Sequence, residues 1–412
     1  MAVSEITPAA GAARQADFWK FWVGQVGSSL GSSFTVFALP LLVFTRTGSA
    51  IDLAIAGASA ALPGLLFGLL IGAWVDRVDR KHLMIATDLL RALAVGSIPA
   101  LLVLGLLPVE WIYAVSFINA TLAVCFTTAQ ATAIVSLVAQ PGLVTANGRL
   151  QAGNSAASIL GPLLAGALMS VLPLASLLLL DAVSFLGSAL ALALIRTSFN
   201  RLDAPAPARL GAAIREGLAY LFGHPVLRYL ALFGLLLNFV AATLGTQLVL
   251  FAKEQLHASD TQLGVLFAAQ SAGVFAFALL AGRLRAYLPL SRAILGAVVL
   301  HGLLTIGLAL SPSYWLAAIC LAGMAGLVAI MGINVLSLRQ AIVPNQLLGR
   351  VSSSLSVLIG AATPLGALLG GLAIERTGQV GSIFALIGAL ICAIGVVFAC
   401  TPLRRAEDYL TG

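Results

Sequence analysis

Ionisable residues inside long apolar runs are the first candidates for chemistry in this 412-residue chain, because far from water each must find a partner or serve a function. Four stand out: Asp88, Arg91, Asp181 and His301. Asp88 and Arg91 are three residues apart, on one face of a helix, so mutual pairing and proton handling are both open to them. Asp181 has no partner nearby in sequence. Such an isolated carboxyl suits reversible protonation and, equally, a structural hydrogen bond. His301, alone in its run, is read as structural. A second set is polar without charge: Gln25, Ser29, Asn119, Gln130, Asn238, Gln247 and Asn334, joined by Met331. Amides and a flexible thioether suit a bulky amphipathic molecule, and amides and hydroxyls also bond one helix to another.

The elements that carry these residues must be membrane helices. Charged residues make up 9% of the chain, against roughly 25% in soluble domains. Hydrophobic residues make up 60%, which excludes a soluble enzyme, a nucleic-acid-binding domain and a disordered chain. The lipid bilayer is the expected solvent. Apolar stretches number about twelve, from 21–44 to 382–401, each near the 20 residues that span a bilayer. The run after the polar opening 1–20 is too long for the apolar core of a cleaved leader, so it is expected to remain as the first helix. Cations segregate: apart from the intramembrane Arg91, only Arg46, Lys253 and Arg376 fall on the side expected to be outer. The positive-inside rule then puts both termini in the cytoplasm and the chain in the cytoplasmic membrane.

The longest break, 197–226, carries Pro205 and Pro207 and then Leu210, Ile214, Leu218 and Leu221 at helical spacing. It is expected to be a cytoplasmic linker whose amphipathic helix lies on the inner membrane face, between six-helix bundles 1–196 and 227–412. The halves echo each other, since Gly148-Arg149 recurs as Gly349-Arg350 and Pro162 is answered by Pro364. Small residues recur every four positions: Ala56, Ala60, Gly64, Gly68 and Gly72 in one run, and Gly153, Ala157, Gly161 and Ala165 in another. Such stripes allow close helix approach, either as ordinary packing or as a sliding contact between the halves. Cys125, Cys320, Cys392 and Cys400 have no metal-like spacing, and no phosphate-binding G-x-x-x-x-G-K-[ST] loop is present, so neither metal nor cofactor is expected. Scattered His and carboxylate residues argue against a membrane enzyme.

The stretch Gly72-Ala73-Trp74-Val75-Asp76-Arg77-Val78-Asp79-Arg80-Lys81 resembles the loop between the second and third helices of the major facilitator superfamily, with Asp79 where that family has glycine. Ala157-x-x-x-Gly161-Pro162-x-x-Ala165-Gly166 is similar to the antiporter motif of its drug exporters, with alanine at two usual glycine positions. Phe21-Trp22-Val23-Gly24-Gln25, Asp88-Leu89-Leu90-Arg91-Ala92, Arg215-Glu216-Gly217-Leu218 with His224-Pro225, and Val343-Pro344 resemble its macrolide and siderophore exporters. The resemblance implies an all-α integral membrane protein of twelve transmembrane helices in two pseudo-symmetric six-helix bundles. It implies a monomeric drug:proton antiporter, exporting amphipathic small molecules of drug, macrolide or siderophore type by alternating access. Gly72, Asp76, Arg77, Arg80 and Lys81 would gate the inner side by pairing across the halves; Gly161, Pro162 and Gly166 would shape the fifth helix. Gln25, Asn238 and Asn334 would lie on central helices. An importer or facilitator of the same fold, and a non-transporting scaffold or receptor, are the alternatives. The cation segregation is testable by reporter fusions, which should read cytoplasm after Arg201 and the outer face near Lys253 and Glu375; a cytoplasmic reading near Gly378 would contradict this topology.

Overall fold

The computed structural model describes residues 8–75, 77–138, 143–199, 210–285 and 289–409. Its first six helices are α1 (Pro8–Thr47), α2 (Ala50–Val75), α3 (Arg80–Val103), α4 (Val109–Leu137), α5 (Leu143–Leu168) and α6 (Leu174–Ala193). The short α7 (Leu210–Gly223) follows. Then come α8 (Pro225–Thr246), α9 (Leu248–Glu254), α10 (Asp260–Arg285), α11 (Leu290–Ala309), α12 (Tyr314–Ile342), α13 (Asn345–Thr377) and α14 (Val380–Phe398), with a terminal 3-10 segment Pro402–Tyr409. No strand occurs among the described residues. Helix is the only open-ended choice here, since in lipid it alone satisfies every backbone group within one segment.

Eleven helices among the described residues are long and apolar enough to cross a bilayer. The remaining long one, α5, is diluted by Asn147, Arg149, Gln151 and Asn154 in its first half. Proline punctuates the chain: Pro108, Pro173, Pro289 and Pro344 stand immediately before α4, α6, α11 and α13, where the helix has no use for another donor. Gly378 ends α13 in the left-handed conformation, φ 65°, and its N–H closes on Ile374 O at 2.8 Å.

Two expectations change on inspection of the elements. The run expected as one seventh span is broken at Gln247 (φ −100°, ψ 7°) into α8 and α9. The linker helix α7 also packs on protein: Leu218 and Leu221 join a core with Leu227, Leu230, Val351 and Leu355. Glu216 forms an ion pair with Arg350, and Gly217 lies so close to Arg350 O that a Cβ would stand 2.7 Å from it. The helix is amphipathic because it packs on α13.

The chain divides into two compact units, Met1–Leu42 with Leu66–Ala206, and Val43–Leu65 with Pro207–Gly412. In the first, α3 packs along α4 and α6, and Phe18, Phe21, Met84, Phe126 and Leu192 fill a core. In the second, α8 runs along α13, α10 along α12, and α11 between α12 and α14. The start of α2 is held there by polar contacts. Glu375 accepts from Ala50 N (2.8 Å), Ile51 N (3.3 Å) and Ser49 Oγ (3.2 Å), and Gln247 Nε2 donates to Ala50 O at 2.7 Å. A carboxylate at a helix N-terminus satisfies amide groups that have no intrahelical acceptor.

The small-residue stripes of α5 and α13 act inside their own units. A side chain at Gly153 would meet Val26, and one at Gly161 would meet Ser33, so α5 lies against α1 along its stripe. Gly366 and Gly370 of α13 face Phe239 and Thr243 of α8 in the same way. For α5 the stripe is helix packing within a unit, not the sliding contact between halves that its recurrence suggested. Such seams depend on missing side chains, because lipid provides no hydrophobic drive to hold helices together. Gly366→Val would push a methyl into the Phe239 carbonyl and should cost at least the roughly 1–3 kcal/mol of an overpacked core. Thermal unfolding in detergent should show a lower midpoint for it, with Gly360→Ala, where no atom lies within 4 Å, unchanged or higher. Equal midpoints for Gly366→Val and wild type would disprove the seam.

Candidate functional site

The motif loop after α2 is the first piece of the site. Gly72 ends an open stretch, with no atom within 4 Å of where its Cβ would be, and Arg77 is exposed. Asp76 lies outside the described residues. Asp79, which replaces the family's glycine, has φ −66° and ψ 112°, a conformation open to any residue. It is the N-cap of α3, accepting from His82 N at 2.8 Å and lying 2.9 Å from His82 Nδ1. The departure from the motif therefore exchanges a glycine for a cap.

The cations that follow are bonded to backbone carbonyls. They close the end of α6 within their own unit: Lys81 Nζ donates to Ile195 O at 2.5 Å and Ala193 O at 3.5 Å, and Arg80 Nη1 to Phe199 O at 3.4 Å. Lys20 Nζ adds a bond to Leu194 O at 3.1 Å. A helix C-terminus exposes unsatisfied carbonyls and the negative end of its dipole, which is where cations are stabilised. Asp17, 3% exposed, takes the amides of the same turn: Arg196 N and Thr197 N at 3.0 Å, with Thr197 Oγ1 at 2.8 Å and Lys20 Nζ at 2.9 Å. Asp17 went unnoticed in the sequence because it stands in the polar opening. Its one signal was a carboxylate three residues before Lys20, at the mouth of an apolar run.

Deeper in the same unit, three ionisable side chains come together from α3 and α6. Asp88 and Asp181 are both fully buried, and Arg91 senses both carboxyls. The expected Asp88–Arg91 bond is not made. Arg91 Nε donates instead to Asn119 Oδ1 at 2.9 Å, and its guanidinium lies 4.0 Å from the centre of the Phe185 ring. Neither oxygen of Asp88 has a hydrogen-bond partner among the described residues; Ser188 stands beside it. Asp181 is well supplied, accepting from the Thr35 hydroxyl and from Ser184 Oγ at 3.2 Å. From α1 and α4 a chain of amides leads in: Gln130 Nε2 donates to Gln25 Oε1 at 3.1 Å, and Gln25 Nε2 to Ser188 Oγ at 3.2 Å. Four of the polar residues singled out in the sequence, Gln25, Asn119, Gln130 and Asp181, thus belong to one buried network around Asp88 and Arg91.

Others lie elsewhere. Ser29 donates to Asn154 Oδ1 at 2.8 Å, a bond between α1 and α5, and Gly161 and Pro162 sit further along the same seam. Gly166, on the last turns of α5, is half a heptad beyond them. Gln247 is fully buried at the α8–α9 break, and Asn334 returns its amide to Ile330 O at 2.8 Å, so neither is aimed at open space. Asn238 and Met331 do line a cavity in the second unit, bounded by α8, α10, α11 and α12. His301, read as structural, is in its wall.

Ionisable residues packed within apolar membrane-length helices of one unit, and a cavity among the helices of the other, are features of a protein that passes small molecules or ions. The profile of the major facilitator family described as transmembrane secretion effector matches residues 7–409. The chain belongs to this family of membrane transporters. Among its relatives, macrolide efflux protein A of Streptococcus pyogenes is 28% identical over 92% of this chain and 94% of that one. Multidrug efflux pump Tap of Mycolicibacterium fortuitum is 29% identical over the same shares. In fold the transporter is similar to the nucleoside transporter NupG, with a TM-score of 0.78 at 12% identity over 95% of this chain and 99% of that one. A bacterial homologue of the iron transporter ferroportin gives 0.71 at 16%, over 94% and 99%. These likenesses agree on the major facilitator fold.

For this transporter the loop has a specific energetic test. Asp79→Ala removes the α3 cap and should cost about 1 kcal/mol of stability, whereas Asp79→Gly, which restores the family residue, should cost only a few tenths. Equal loss in both variants, measured by thermal unfolding, would mean that the carboxylate works other than as a cap.

Proposed function

We propose that the transporter exports amphipathic small molecules across the cytoplasmic membrane, driven by protons that enter through the buried network of the first unit. The reading takes it as a monomer with both termini in the cytoplasm, and the halves 1–196 and 227–412 as the bodies of an alternating-access cycle about the linker 197–226. The observation that carries it is the charge count at the network: two buried carboxyls, Asp88 and Asp181, face one guanidinium, Arg91. With both carboxyls ionised the group has one negative charge in excess; one proton makes it neutral, which is the state a low-dielectric interior favours. The two carboxyls are also unequally supplied, since Asp181 accepts from the Thr35 and Ser184 hydroxyls while Asp88 has only Ser188 beside it, so a proton has a defined place to go.

Outward direction is supported by the Gly161–Pro162 motif in α5 and by the efflux proteins among the relatives. Macrolides and other drugs are the first substrates to try, by the names of those relatives. Inner gating is assigned to Asp76 and Arg77, since Arg80 and Lys81 are occupied by the carbonyls that end α6. In inverted vesicles with an acidified lumen, Asp181→Asn and Asp88→Asn should each lower uphill accumulation at least tenfold while leaving downhill exchange of substrate intact. Accumulation that survives in both well-folded variants with an unchanged pH dependence would remove the network from coupling.

A further inference from the structure

The cavity of the second unit is chemically unlike the network of the first. Its volume is about 320 Å³, near the lower end of small-molecule sites, which run from roughly 300 to 1,000 Å³. Leu244 of α8, Val274 of α10, Val298 of α11 and Leu327 of α12 form an apolar wall, and the sulfurs of Met324 and Met331 add adaptable contact. None of its lining residues is Asp, Glu, Lys or Arg. A permanent cation held there would lose water with no counter-ion in return, which disfavours it.

What the lining does offer is hydrogen bonding. His301 is 7% exposed and is one of the residues lining this cavity. Among the described residues its ring has no hydrogen-bond partner; only its backbone carbonyl is used, by Thr305 Oγ1 at 2.9 Å. A histidine kept for packing would tie a ring nitrogen to a neighbour, as buried polar groups generally do. The orientation is fixed from behind. Gly302, the next residue, lies against Gly388 O and Cys392 N of α14, where a Cβ would stand 2.7 and 2.8 Å away, so α11 cannot turn. Gln270 of α10 also lines the cavity, as does Asn238, whose amide nitrogen is held by Gly234 O at 2.9 Å and whose amide oxygen is an acceptor.

We propose that this cavity binds an uncharged, largely apolar small molecule, or the uncharged arm of a larger one, through hydrogen bonds to His301 and Gln270. The inference rests on the export reading above and names the substrate class within it: neutral amphiphiles over quaternary cations. Its test is a binding measurement on the purified full-length transporter, which does not depend on coupling or direction. The neutral solvatochromic dye Nile red should bind saturably, and tetraphenylphosphonium should compete at least tenfold more weakly than an unlabelled neutral amphiphile of similar size. His301→Leu should weaken the dye roughly tenfold, the loss of one buried hydrogen bond, and His301→Gln should weaken it less. Ala325→Phe, which fills the space, should abolish binding while the protein still elutes as a single folded species. Dye affinity unchanged in both His301→Leu and Ala325→Phe, or equal competition by the cation, overturns the site. Intact dye binding with no accumulation of any neutral amphiphile in energised vesicles would leave the site standing and count against export.

Discussion

Where water is absent, every polar group has to find its partner in protein, and with charged residues at 9% of the chain few such partners are to be had. The details of this transporter follow from that scarcity. Lys20, Arg80 and Lys81 take the carbonyls that α6 leaves open, while Asp17 takes the amides of the same turn. One short segment, 193–199, thus has donors and acceptors bonded by side chains from two other elements, α1 and α3. The same logic holds α2 at its other end, where Glu375 and Gln247 bond the backbone at Ser49, Ala50 and Ile51.

Against that background an unsatisfied group carries information. Asp88 is fully buried with both oxygens unpaired, although Arg91 is one turn away on the same helix. The guanidinium is instead drawn over the Phe185 ring and onto Asn119, which spreads its charge over α3, α4 and α6. A structural role for the trio would be served better by a closed pair. The arrangement is open instead, and a chain of hydrogen bonds from Gln130 through Gln25 ends on Ser188 beside Asp88. The second unit has the complementary character: an apolar cavity with a histidine in its wall and no charged lining. Ion handling and substrate contact are, in this reading, built on different chemistry.

Packing obeys a matching rule. With no hydrophobic drive between helices in lipid, contact must come from shape, and the glycines of α5 and α13 let α1 and α8 approach until backbone and side chain meet. The same atoms that make the seam tight make it intolerant of a Cβ.

The composition and the length of the apolar runs were enough, by themselves, to determine a multi-pass helical membrane protein, because no other structure tolerates such a chain in lipid. Motif residues around Asp76 and Gly161 carried the family. The sequence also singled out Asp88, Arg91 and Asp181 as the ionisable groups to explain, since their cost in a membrane does not depend on knowing the fold. Partners were another matter. That Arg91 bonds Asn119 and not Asp88, that Gln25 reaches Ser188 across 163 residues of chain, and that Gln247 serves the backbone of α2 are facts of tertiary packing. Helical periodicity places a residue on a face but does not say which helix that face meets. The clearest case is His301: its spacing among apolar residues is that of a core histidine, and only the tertiary structure places it in the wall of a cavity.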